Sequence, residues 1–205
     1  MADLNSVKKE IAAMAELTLK MLRNTFATFM EHDLDILSLV LKDEDKLNDL
    51  EKELTTKLIE VGRALNPEAR EEVIIYREVV ADLELIGDYC KDILERVQIK
   101  IEEKLLFTEE AVKEYEELYH KTESALAEIT FALEKDSPEL VNTVLKREEH
   151  IDSLVDTYRS RHTQRMLDGV CSPMDCNMFL NMLDFTAAIY YHAKKIARNL
   201  LKIKQ

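Results

Sequence analysis

Chain breakers are nearly missing from this sequence. Its 205 residues include three glycines and three prolines, so a helix is rarely forced to stop. The prolines stand where helices begin. Asn66-Pro67-Glu68 reads as a cap, a first helical residue and a first-turn acid, and Asp136-Ser137-Pro138-Glu139 and Ser172-Pro173 read alike. Between these signals apolar residues recur at helical spacing, and no alternating run marks a strand. Hydrophobic residues make up 46% of the chain, enough for a real core and too many for a disordered polymer. The expected class is all-α.

Six helices are predicted. The first runs from about Asn5 to His32, with Ile11, Met14, Leu17, Met21, Leu22 and Phe29 on one face. Asp33 caps the second, which carries Leu37, Val40, Leu41, Leu47, Leu50, Leu54 and Leu58. The third runs from Pro67 to about Leu106. Thr108, Asp136 and Ser172 open the fourth, fifth and sixth.

The six read as three plus three. Asp33 and Asp136, 103 positions apart, each open the second helix of a half. Glu44-Asp-Lys-Leu-Asn48 parallels Glu148-Glu-His-Ile-Asp152 at an offset of 104. Val79, Val80, Ile86, Cys90, Ile93 and Val97 match Met182, Leu183, Ile189, Ala193, Ile196 and Leu200 at an offset of 103. The expected organisation is two pseudo-repeated three-helix bundles, residues 1–106 and 107–205.

Net charge is -13. Such a chain is unsuited to nucleic acid or an anionic membrane, and suited to cations or a basic protein face. The three cysteines, Cys90, Cys171 and Cys176, are an odd number without a CxxC pair and read as reduced thiols of a cytosolic protein. Cys171 and Cys176 would bridge only by chance at this spacing, and no structural disulfide is expected. Met1 to Asn24 has acids and lysines in an amphipathic pattern, unlike a signal peptide. No apolar run approaches the ~18 residues of a membrane span.

The chemistry-bearing stretch is Asp82-Leu-Glu-Leu-Ile-Gly-Asp-Tyr-Cys-Lys-Asp-Ile-Leu-Glu95. Glu84, Asp88 and Asp92 recur every four residues, so they share one side of a helix and repel. Periodicity puts Glu84, Asp88, Asp92 and Glu95 opposite the apolar stripe, which reads as a solvated face. Glu44 and Glu148 flank the apolar stripe of their helices, with Asn48 and Asp152 just outside. Such flanking acids can meet those of a neighbouring helix, and oxygen-rich clusters suit Mg, Mn, Ca or iron.

These residues resemble the PhoU family of phosphate-transport regulators. The stretch Asp82–Glu95 is similar to the family signature DLERIGDHAxNIAE, departing at Leu85, Tyr89, Cys90, Asp92 and Leu94. A narrower resemblance is to the cytosolic C-terminal PhoU-like domain of bacterial sodium/phosphate cotransporters. It rests on Phe107-Thr-Glu-Glu-Ala111, on Met14-Ala15 and Met21-Leu22, and on the link from Arg161 to Pro173, similar to H-x-x-R-L-x-x-G-x-C-x-P. The resemblance implies a six-helix fold and a divalent or iron-type metal ion held by ExxxD motifs. Glu84 and Asp88 fall on the third-helix motif. Glu44 falls on the second-helix motif, where Asn48 replaces the acid and Asp45 and Asp49 lie nearby. Asp92 adjoins the set. In the second half Glu148 and Asp152 are intact, but the third-helix positions are Ala187 and Tyr191. An asymmetric site, stronger in the first half, is expected.

Other chemistry has little support. A di-iron bundle needs two ExxH motifs, and only Glu117-Leu-Tyr-His120 fits. No HExxH, phosphate loop or nucleophile elbow occurs. Arg159, Arg161, His162 and Arg165 cluster near a helix end, either favouring its dipole or forming a small basic patch. The expected function is a non-enzymatic regulator of phosphate transport. Its partner is a membrane phosphate transporter or its regulatory kinase, and homodimerisation is compatible. The expected location is cytoplasmic, at the inner face of the membrane. The alternatives are a metal-dependent carboxylate-bundle enzyme and a metal-free helical adaptor.

Overall fold

The computed structural model describes residues 3–146 and 150–203. Among them are seven α-helices and no strand: α1 Leu4–Glu31, α2 Leu34–Ala64, α3 Pro67–Glu102, α4 Glu109–Lys135, α5 Pro138–Lys146, α6 Ile151–Leu167 and α7 Pro173–Leu200. Asp33, Thr108 and Ser172 cap the helices as expected, but Asp136 is the C-cap of α4 and does not open α5. Asp33 accepts from the Asp35 amide at 2.8 Å, and Thr108 accepts from the Ala111 amide at 3.2 Å. Ser172 and Asp175 form a reciprocal capping box.

The expected fifth helix differs. It is two helices, α5 and α6, and the residue before α6, His150, is left-handed at φ 47°. Lys194 of α7 donates to the carbonyl of Val144 in α5. Glu148 lies outside the described residues, and Asp152 falls in the first turn of α6.

With few glycines, the chain turns on other residues. His32, Lys104 and Asp136 are left-handed, at φ 56°, 54° and 48°. Histidine and aspartate are among the side chains that adopt this region most readily. The end of α6 uses Gly169 at φ 72°, with Gly169 N–H donating to Met166 and Val170 N–H to Arg165. That is a Schellman closure, and it sets the direction of the link into α7.

One continuous core runs through the molecule. α3 and α7 pair antiparallel at its centre. Asp82 meets His192, and Tyr89 meets Phe185 with ring centroids 6.0 Å apart. Positions 82 and 185, like 89 and 192, are 103 apart. Exchanging the halves therefore turns one contact into the other, as a local two-fold relation requires. α1 and α4 also pair antiparallel, through Arg23 with Glu123, stacked Phe26 and Tyr119 (3.6 Å) and Phe29 against Tyr115. Buried Thr18, Thr25, Thr28 and Thr130 each donate a hydroxyl to the carbonyl four residues back, and Thr25 also reaches the Cys90 carbonyl of α3 at 3.5 Å.

α2 and α3 approach most closely at Gly87. A Cβ there would lie 2.1 Å from Leu47 Cδ2 and 3.6 Å from Met21 Cε. Both neighbours are fully buried, so Leu47 cannot swing aside without disturbing the core. We expect Gly87→Val to lower stability by about 1–3 kcal/mol, read as a lower urea midpoint. An unchanged midpoint would mean that the seam is looser than drawn.

Candidate functional site

Asp43 and Glu44 are consecutive, both nearly inaccessible, and serve opposite neighbours. Asp43 reaches toward α1, accepting from Lys20 at 2.7 Å and from Lys46 at 2.8 Å. Burial pushes its pKa up, but the hydrogen bonds from Lys20 and Lys46 outweigh this and hold it below the usual value. Glu44 turns to α3. Its Oε1 accepts from Lys91 Nζ and from Asn48 Nδ2, each at 3.0 Å.

Glu84 and Asp88 lie beside this pair, half-buried. Neither makes a described side-chain hydrogen bond or ion pair. Burial raises the pKa of Glu84, and the charges of Asp88, Glu51 and Glu44 raise it further. Burial also raises that of Asp88, with Glu44 and Asp92 adding to the shift and Lys91 opposing it. Glu44, Glu51, Glu84, Asp88 and Asp92 thus crowd the seam around Lys91. The expectation of a solvated face is corrected for Glu84, Asp88 and Asp92, which are half-buried; Glu95 is exposed. Helical periodicity identifies the face turned to the core, but not the flank on which α2 settles.

The other candidates are dispersed. Asp45 and Asp49 are exposed, and Asp49 lies 4.0 Å from Lys52. Asp92 contributes its charge to Asp88. In the second half, Tyr191 donates its hydroxyl to Asp152, while Ala187 is buried and offers no ligand. The carboxylate that α3 provides at Asp88 is thus replaced on α7 by a hydrogen-bond donor.

Among the described residues, no three His, Cys, Asp or Glu side chains gather in a way that could hold a metal ion. Glu44 is engaged by Lys91, and Asn48 presents it with an amide. The residues therefore do not fit a closed, multi-carboxylate metal centre. What they leave is an excess of negative charge around Glu84 and Asp88.

The remaining motifs serve the fold. Glu117 accepts from the Tyr158 hydroxyl at 2.6 Å, and His120 packs against Phe26 and Tyr119. Arg159 pairs with Asp184, and Arg161 and Arg165 pair with Glu114, so the arginine cluster is bound up internally. Sequence reasoning missed Asp82. It has no exposed surface, and its Oδ1 lies 2.8 Å from both His192 Nδ1 and Lys195 Nζ. The signal was available: Asp82 sits on the apolar stripe between Val79 and Ile86, where a carboxylate needs a partner.

Comparison with known proteins places this geometry. Residues 11–97 match the PhoU domain model. The chain is 25% identical over 207 residues to a "Phosphate-specific transport system accessory protein PhoU homolog" of Rhizobium meliloti, covering 97% of this chain and 84% of that protein. It is 24% identical over 156 residues to a protein of the same description from Clostridium acetobutylicum, covering 75% and 70%. A Thermotoga maritima homologue is 32% identical over 89 residues, 43% of this chain and 38% of its own length. The crystal structure of PhoU from Pseudomonas aeruginosa superposes with a TM-score of 0.89 at 18% identity, covering 98% of this chain and 96% of that one. The phosphate transport system regulatory protein PhoU from Streptococcus pneumoniae gives 0.86 at 15% identity, covering 98% and 94%.

The crowding of Glu84 and Asp88 has a pH signature. Their folded pKa values are raised, so ionisation favours the unfolded chain and the folded state loses stability as pH rises through the carboxylate range. We expect Glu84→Gln with Asp88→Asn to raise the thermal midpoint at about pH 7 in the presence of chelator. The gain should vanish below about pH 4, where the native acids are protonated. An equal gain at both pH values would assign the effect to packing instead.

Proposed function

Since residues 11–97 match the PhoU domain model and the whole chain is similar in fold to PhoU structures, we propose that it is a non-enzymatic accessory regulator of phosphate transport. The observation that carries this reading is the domain match across α1 to α3, the region that contains the acidic seam. Its relatives are named as accessory proteins of a phosphate-specific transport system. The proposed action is indirect: the acidic bundle docks on a membrane phosphate transporter or its regulatory kinase and biases its state. Among the described residues no helix is long and apolar enough to cross a membrane. This agrees with a module working at the cytoplasmic face. In this reading residues 1–106 and 107–205 are the two repeats, and a homodimer is compatible.

A narrower version makes the chain the cytosolic domain of a sodium/phosphate cotransporter, or a partner of one. Its support is the link from Arg161 to Pro173, where His162, Arg165, Gly169 and Cys171 each have a defined structural part. In cells from which the gene is removed, phosphate uptake in phosphate-rich medium should change several-fold and be restored by the intact chain. Unaltered uptake would refute the regulatory reading.

For metal, the charge excess supports an exchangeable hard cation on Glu84 and Asp88, with water completing its coordination. Asp45, Asp49 and Asp92 act at most through charge. Dialysis against excess Mn²⁺ followed by elemental analysis should show a weak uptake that Glu84→Ala with Asp88→Ala removes, while Glu148→Ala and Asp152→Ala leave it unchanged. Equal losses from both halves would overturn the asymmetry.

A further inference from the structure

Cys171 and Cys176 bracket the first turn of α7. Ser172 is the cap of that helix: its hydroxyl accepts from the Asp175 amide at 3.1 Å, and the Asp175 carboxylate accepts from the Ser172 amide at 3.2 Å. Pro173 takes the first helical position. Cys171 is thus the residue before the cap and Cys176 the fourth helical residue. Side chains at these two positions meet across a capped turn as a hydrophobic staple. Here both members of the staple are thiols, close enough that each shifts the titration of the other.

The surroundings of Cys171 are built. His162 is 1% exposed and stacked on Phe179, ring centroids 4.2 Å apart. Arg165 Nη2 stands 3.1 Å from His162 Nδ1. A guanidinium has only donors, so Nδ1 accepts and the ring proton lies on Nε2. Burial, then the charge of Arg165, lowers the ring's pKa to about 4, so it is neutral at ordinary pH. The Nε2–H therefore faces Cys171 Sγ, 4.0 Å away. A metal ion here would need the Nε2 lone pair, with a proton on Nδ1 facing Arg165, so the cluster is unsuited to a metal. It suits sulfur. Burial raises the pKa of both thiols above the ordinary value, and Arg165, held by Glu114 at 2.5 Å, opposes the rise only in part. Cys171 is also the more accessible of the two.

We propose that Cys171 and Cys176 are a redox-responsive pair, closing to a disulfide under a peroxide and reopened by a dithiol. The Cys171 thiolate attacks one peroxide oxygen. An S–O bond forms, the O–O bond breaks, and the departing hydroxide takes up the thiol proton as water, leaving a sulfenic acid. The Cys176 sulfur then attacks the Cys171 sulfur. The S–S bond forms, the S–O bond breaks, and the hydroxyl leaves as water with the Cys176 proton. Two electrons from the sulfur pair reduce one peroxide to two waters. A reducing dithiol reverses the closure by exchange through a mixed disulfide. Cys90, with no exposed surface on α3, takes no part. Closure would tie the start of α7 to a link that presents Leu167, Val170 and Met174 to solvent.

The test uses the full chain treated with hydrogen peroxide, quenched with an alkylating agent, and read by intact mass and peptide mapping. The expected result is a loss of about 2 Da and a 171–176 cross-link. Thiols titrated after denaturation should fall from the three of the sequence to one, and dithiothreitol should restore all three. Cys176→Ser should block the cross-link and take up oxygen at Cys171 instead. The proposal is overturned if the wild-type chain keeps three thiols, if it gains oxygen at Cys171 without a cross-link, or if the bond formed joins Cys90 or a second chain.

Discussion

Asp82 is a carboxylate with no exposed surface, held in the middle of the molecule by a histidine and a lysine from the far end of the sequence. His192 and Lys195 meet the same oxygen at 2.8 Å each. Everything else about the fold is arranged around the α3–α7 pairing that this contact fixes. Removing one partner from a buried ionic contact costs about 3–5 kcal/mol, because the survivor remains desolvated. Lys195 is half exposed, which reduces its share. Among the contacts of α3 and α7 this one is directional, with both partners on a single carboxylate oxygen.

Much of this was legible in the sequence. Asp33, Thr108 and Ser172 mark helix starts because a side-chain oxygen before an apolar periodic run has one obvious use. The 103-residue offset was legible because the apolar register is kept where identity is lost. The break between α5 and α6 was not, since no glycine or proline marks it. It depends on a left-handed His150 and on Lys194 reaching a carbonyl of α5, a contact between residues 50 positions apart. The acidic seam was half legible. Spacing grouped Glu84, Asp88 and Asp92 correctly on one side of α3, but their burial depends on how α2 lies against it. The closeness of Cys171 and Cys176 follows from their places around a cap, which counting cysteines ignores.

The two halves share a plan but not a charge pattern. Lys91 and Lys194 occupy equivalent positions, as do Asp88 and Tyr191, and Glu84 and Ala187. In the first half the lysine answers a buried glutamate, and two further acids are left crowded. In the second, a phenol satisfies Asp152, and the lysine is drawn to backbone. The local two-fold relation of α3 and α7 therefore carries an electrostatic asymmetry: one flank of the molecule attracts cations, and the other is largely neutralised.

The threonines on α1 and α4 bear on how the halves can move. Because Thr18, Thr28 and Thr130 spend their hydroxyls within their own helices and Thr25 divides its between Met21 and Cys90 of α3, the described polar bonds between α1 and α4 lie at the edges of the contact, at Arg23–Glu123 and Lys8–Asp136. Inside, only shape sets the alignment. A face of that kind behaves as a lubricated bearing beside a hinge pin: the Asp82 contact resists displacement, while the α1–α4 contact permits shear in small steps.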